Sequence, residues 1–171
     1  MSQPFPSVNT RPIAGFLMGC AVALSAASAS AQALPELKGP TLDGQPYDLA
    51  RSRGKVVMVL FWSTDCAVCR DKMPELRANV KGWQGQAFEL VTVSTDRDRR
   101  AAETYHQLVQ LTVPPSQRFV SLWAGDPAYR DSFGAPGTLP AVFLLDKSGR
   151  EVQRHQGRVP AEAWDRIADL L

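Results

Sequence analysis

Apolar residues run without a break from Val56 to Trp62 and again from Ala141 to Leu145, with β-branched and aromatic side chains prominent in both. Runs of that length predict strands buried on both faces, and Val56–Trp62 is the natural central strand. Phe88–Ser94 predicts a further strand and Phe119–Trp123 a short one, while about Arg150 to Gln156 pairs with 141–145 through the turn Asp146-Lys147-Ser148-Gly149. A helical period follows Cys66, with Cys69, Met73, Leu76 and Val80 on one face, Gly82 as terminator and Pro74 expected to kink the helix. Arg99–Leu111 reads as a helix whose apolar contacts come from Tyr105, Leu108, Val109 and Leu111, and Pro114-Pro115 prevents its continuation. Asp126 as N-cap and Pro127 at the first helical position predict a short helix over 127–133. Pro160–Leu171 is the last helix, with Trp164, Ile167, Leu170 and Leu171 on its apolar side. Between 34 and 55, Asp43-Gly44 predicts the turn of a short β-hairpin at the sheet edge.

This order describes a three-layer α/β domain with a central mixed sheet flanked by helices. The N-terminus is patterned differently. A polar start with the single cation Arg11 leads into an apolar stretch from Ile13 to Ala27 and then into small residues ending Ala29-Ser30-Ala31-Gln32-Ala33. That is the layout of a secretory signal peptide over 1–33, cleaved after Ala31 or Ala33, which leaves 34–171 as the domain and places it in the periplasm. The apolar core is shorter than the roughly 20 residues that span a bilayer, so no membrane span is expected in the mature chain. Leu17-Met18-Gly19-Cys20 resembles a bacterial lipoprotein box, so a lipid anchor at Cys20 is one alternative and an N-terminal membrane anchor the other. Cleavage there would leave Ala21–Ala27 at the new N-terminus where a polar tether belongs, so the soluble periplasmic form is preferred.

Apolar residues make up 44% of the chain and charged residues 21%, the balance of an ordinary globular domain. Without the leader, eighteen basic residues face seventeen acidic ones, a near-neutral balance that gives no electrostatic case for nucleic acid or an anionic membrane. Of the three cysteines, only Cys66 and Cys69 remain in the domain. They lie three residues apart where a strand hands over to a helix, so Cys66 meets the positive end of the helix dipole, which favours thiolate. Cys69 is close enough to form a disulfide with it. Because stabilisation by a disulfide grows with loop length, so short a loop argues for exchange chemistry over a structural staple. The histidines, His106 and His155, stand far from the pair without zinc-ligand spacing, and neither a metal nor another cofactor is expected. His106 reads as a surface or packing residue and Ser94-Thr95-Asp96 as a helix-capping loop.

The stretch Phe61-Trp62-Ser63-Thr64-Asp65-Cys66-Ala67-Val68-Cys69-Arg70-Asp71-Lys72-Met73-Pro74-Glu75-Leu76, followed by Thr138-Leu139-Pro140-Ala141-Val142-Phe143-Leu144-Leu145-Asp146, resembles the exported TlpA/ResA/CcmG-like thiol–disulfide oxidoreductases. The resemblance covers essentially the whole mature chain and implies a thioredoxin-like fold, with the segment from Arg99 as an extra αβ element. It further implies Cys66 as nucleophile, Cys69 as resolving cysteine, and Pro140 as a cis-proline that leaves the main chain of Leu139 free to pair with substrate. On residues alone a trans bond would be preferred, since only about 5–6% of X–Pro bonds are cis. Trp62 joins Leu139 as a residue of the binding region, packing against the active-site helix. Implied partners are protein thiols or disulfides, apocytochrome c among them, and an upstream electron donor in the periplasm or membrane.

The chain departs from these relatives beside the pair. Leu60 stands where thioredoxin carries a buried aspartate, and Lys72 where many relatives carry a glutamate. Asp65 opposes a thiolate at Cys66 while Arg70 favours one. Ala67-Val68 adds neither charge nor histidine, and a less stabilised thiolate leans towards a disulfide reductase, with an oxidase as the alternative. A copper-binding assembly factor resembling the Sco family is the rival of another class, although its cysteines are separated by three residues and these by two.

Overall fold

The computed structural model describes Met1 and residues 33–171. Arg11, Cys20 and Ala31 of the expected leader lie outside the described residues. Val56–Trp62 (β3) is buried along all seven residues. It pairs in parallel with Phe88–Ser94 (β4) and antiparallel with Ala141–Leu145 (β7). Val120–Trp123 (β5) extends the sheet beside β4, and Glu151–Gln156 (β8) extends it beside β7. The strand order is β5-β4-β3-β7-β8, a mixed sheet with β3 at its centre.

Successive residues of β3 point to opposite faces, and the two faces have different coverings. Val56, Met58, Leu60 and Trp62 pack with Cys69, Met73 and Leu76 of the helix Ala67–Gly82 (α1) and with Ala163 and Ile167 of Glu162–Leu170 (α3). Val57, Val59 and Phe61 pack instead with Leu37, Leu49, Leu122 and Tyr129. Each aliphatic side chain buried in this way contributes about 1.5–3 kcal/mol, which makes β3 the spine of the domain. The remaining helix, Arg99–Thr112 (α2), links β4 to β5 and is capped by Asp98, whose side chain accepts from Arg100 N.

Several expectations need correction. The N-terminal hairpin, Leu37–Pro40 (β1) with Pro46–Asp48 (β2), forms at the Asp43-Gly44 turn, where Gly44 has φ 76°. It lies at the edge of the main sheet beside β5, where Leu42 N donates to Ser121 O at 2.7 Å, without being one of that sheet's strands. Arg130–Asp131 (β6) joins it in a separate sheet of order β2-β1-β6. That pairing displaces the helix expected over 127–133. Asp126 does cap a turn, accepting from Ala128 N, but Arg130 and Asp131 then pair with Lys38 and Leu37, and Tyr129 is buried. Helix α1 continues through Pro74, as expected, and the proline's missing N–H costs it one backbone hydrogen bond. On α2 the buried residues are Ala102 and His106, whereas Leu108 and Leu111 are 55% and 85% exposed. The stripe at 102, 106 and 109 faces inward, and 108 and 111 fall on the opposite side of a 3.6-residue period.

Candidate active site

Strand β3 ends at Trp62, and the turn Ser63-Thr64-Asp65 carries the chain to Cys66, the N-cap of α1. Cys66 N donates to Ser63 O at 3.2 Å, and Cys66 O accepts from Arg70 N at 3.1 Å. Cys66 and Cys69 form a disulfide, with Cα atoms 5.2 Å apart. Cys66 Sγ also accepts from Cys69 N at 3.1 Å, a main-chain donor that remains in place for a thiolate. The sulfurs are unequally accessible: Cys66 is half-buried, and Cys69 is 1% exposed. An incoming group therefore reaches Cys66 first.

The turn is fastened from β4. Asp96 is 8% exposed, and its Oδ1 accepts from Thr64 N at 2.9 Å and from Thr64 Oγ1 at 2.7 Å. Its Oδ2 accepts from Ser94 Oγ at 2.6 Å, and its carbonyl accepts from Trp123 Nε1 at 2.7 Å. The segment expected to cap a helix thus holds the cysteine turn, and Asp98 does the capping. Local sequence carries no signal for this, because Thr64 and Asp96 are 32 residues apart and meet only through the parallel pairing of β3 and β4.

The peptide bond between Leu139 and Pro140 is cis. Leu139 lines an open groove of about 450 Å³ with Ser63, Thr64, Asp65 and Thr95. Pro140, buried, lines a smaller cleft of about 90 Å³ with Val68, Lys72, Glu75 and Val159. Leu139, Cys66 and Cys69 belong to one hydrophobic cluster, so the structure brings the cysteine turn and the proline loop together. Trp62 is only 4% exposed, and its ring packs against Tyr105 with centroids 4.6 Å apart, beneath the site.

The neighbouring charges have definite partners. Arg70 Nη1 donates to Thr64 O at 2.7 Å, and Asp65 is exposed. Lys72 Nζ lies 2.7 Å from Glu75 Oε2, while Trp164 Nε1 donates to Glu75 Oε1. The Lys72 ammonium bonded to Glu75 holds that carboxyl below the usual carboxylate range, overcoming an opposing effect of burial. Leu60 is 1% exposed and surrounded by core. His106, expected to be a surface or packing residue, is buried on α2 and places Nε2 2.7 Å from Asp43 Oδ1 at the hairpin turn. Among the described residues no group of three or more His, Cys, Asp or Glu is arranged to hold a metal ion, and no helix is long and apolar enough to cross a membrane.

The profile described as the AhpC/TSA family matches residues 31–153. The thiol-disulfide oxidoreductase ResA of Geobacillus thermodenitrificans is 28% identical over 116 residues, which are 68% of this chain and 63% of that protein. The ResA of Geobacillus kaustophilus is 26% identical over 137 residues, 80% of this chain and 75% of its own. The chain thus spans less than two thirds of the first relative's length. A thiol:disulfide interchange protein of Chlorobium tepidum superposes with TM-score 0.61 at 22% identity, covering 80% of this chain and 92% of its own. A secreted disulfide oxidoreductase of Mycobacterium tuberculosis does so with TM-score 0.60 at 23% identity, covering 78% and 95%. The fold is thioredoxin-like.

Proposed function

The chain belongs to the AhpC/TSA family, and from that premise we propose that it is a periplasmic thiol–disulfide oxidoreductase that reduces disulfides in exported proteins through Cys66 and Cys69. The observation that carries the reading is the unequal pair itself: a half-buried Cys66 at a helix N-terminus, joined to a buried Cys69 and packed beside the Leu139–Pro140 loop. In the reduced protein Cys66 attacks a substrate disulfide, forming a mixed disulfide and releasing one substrate thiolate, which takes a proton from water. Cys69 then attacks Cys66 Sγ, the second substrate sulfur leaves, and two electrons have passed from the dithiol to the substrate. An upstream periplasmic or membrane donor restores the dithiol. Leu139 offers its main chain to the substrate segment, Pro140 sets the path of that loop, and Trp62 supports the turn from below.

The reducing direction is supported by the charges near Cys66. Stabilising a thiolate stabilises the reduced protein and strengthens the disulfide as an oxidant. Asp65 adds a negative charge directly before Cys66, and Arg70 is engaged by the Thr64 carbonyl. Both leave that thiolate less stabilised than a free neighbouring guanidinium would, and the disulfide correspondingly harder to reduce. A Cys69→Ser variant expressed in the native periplasm is expected to retain substrates as mixed disulfides on Cys66, and Cys66→Ser to retain none. Recovery of no partner on a folded Cys69→Ser protein overturns exchange as the function. A reduction potential near about −120 mV, the range of strong periplasmic oxidants, overturns the reducing direction.

A further inference from the structure

The resolving sulfur is buried in an apolar cluster. Cys69 is 1% exposed within a cluster that includes Leu60, Val142 and Val159, and such surroundings oppose the thiolate that must form for Cys69 to attack. One turn further along α1 is Lys72, whose side chain is 17% exposed. Residues at i and i+3 of a helix have Cβ atoms about 5–6 Å apart, and helical side chains lean back towards the N-terminus. The Lys72 stem lines the same cleft as Val68, the residue next to Cys69 on the preceding turn. Its ammonium does not range freely, because Glu75 binds it at 2.7 Å and is itself held by Trp164 on α3. The group borders the cleft whose buried members are Pro140 and Val159, and Val159 shares the cluster with Cys69. The other charged residues lining that cleft, Asp71 and Arg158, are exposed, while Asp65 and Arg70 stand on the Cys66 side.

We propose that the Lys72 ammonium, positioned by Glu75 and Trp164, is the electrostatic partner of the Cys69 thiolate during release of the mixed disulfide. The inference rests on the thiol–disulfide reading and assigns the resolving step a cation instead of a proton acceptor. Cys69 loses its proton to solvent, its sulfur bonds to Cys66 Sγ, and the bond from Cys66 to the substrate sulfur breaks. The substrate leaves as a thiolate and is protonated from solvent. Lys72 keeps its proton throughout and acts only by its charge, with Glu75 as the positioning residue that also attenuates it.

The two side chains therefore have opposite effects, which a purely structural role would not produce. In the full chain carrying Cys66→Ser, the Cys69 thiol is titrated by its ultraviolet thiolate absorbance. Lys72→Met, which keeps the stem, is expected to raise the midpoint by about one pH unit, a tenfold loss of thiolate at a fixed lower pH. Glu75→Gln is expected to lower it by freeing the ammonium from its counter-charge. Unmoved midpoints, or two shifts of the same sign, overturn the proposal. If Lys72→Met does not fold, a midpoint that stays or rises in Glu75→Gln overturns it alone. Turnover of a protein disulfide by the wild-type chain is measured separately: absence of turnover removes the exchange reading, whereas opposite midpoint shifts still establish the electrostatic pairing at Cys69.

Discussion

Asp96 is the residue whose loss should most clearly separate a fold held by apolar packing from one that also needs a polar clamp at its reactive turn. Its carboxylate accepts from Thr64 N, Thr64 Oγ1 and Ser94 Oγ. Hydrogen bonds to a charged group contribute about 1.5–3 kcal/mol each, an upper bound here because Thr64 is half-buried and can turn to water. Ser94 is 1% exposed, and its hydroxyl proton would be left without an acceptor. Asp96→Ala is therefore expected to cost about 2–4 kcal/mol. For a domain of this size the melting temperature should fall by about 7–14 °C. Asp96→Asn keeps one oxygen for Thr64 and presents an amide to Ser94 Oγ, which can rotate to accept, so about half that loss is expected. Thermal unfolding of the oxidised proteins by circular dichroism gives the comparison, with protein-disulfide turnover well below the melting temperature as the functional measure. Turnover should fall along with stability, because Thr64 positions Asp65 and Cys66. An alanine variant within about 0.5 kcal/mol of wild type, with unchanged turnover, would refute the clamp.

Two further substitutions test the core and the second sheet. Ile167→Ala, at a fully buried position of α3 against β3, should cost about 2–5 kcal/mol in a urea unfolding curve; a loss below about 1 kcal/mol would mean that α3 does not cover this face. Burial, aided by the Asp131 carboxylate, raises the Tyr129 hydroxyl above its ordinary value of 10.0. The folded state therefore favours the neutral form: its contribution is fully present below pH 10 and is lost as pH rises from there towards the folded value. Tyr129→Phe should accordingly flatten the alkaline decline of stability, and an unchanged slope above pH 10 would contradict the burial of that hydroxyl beneath β1.

The active-site strand, the helix after it and the position of Cys66 at the junction were legible because each depends on neighbours in sequence. A seven-residue apolar run rich in β-branched and aromatic residues is too short for a buried helix and fits a strand covered on both sides, and β3 is covered on both sides. Patterns failed where two readings were locally equal. Asp126-Pro127 is as good a helix start as a turn, and antiparallel pairing of Lys38 with Arg130 decides for the turn. Similarly, α2 has enough apolar residues for two faces, and only packing against the sheet shows that His106 goes inside while Leu111 stays in water.

The sequence by itself determined the candidate chemistry and its frame: two thiols at helix-start spacing, one pair in the domain, and the unbroken apolar runs that build the sheet beside them. Only the tertiary structure decided what surrounds the sulfurs. Parallel pairing of β3 with β4 brings Asp96 to Thr64, and packing of α3 on α1 brings Trp164 to Glu75 and so fixes Lys72. These partners come from segments 32 and 89 residues apart, where hydrogen bonding depends on backbone paths through the whole domain and leaves no local period to read.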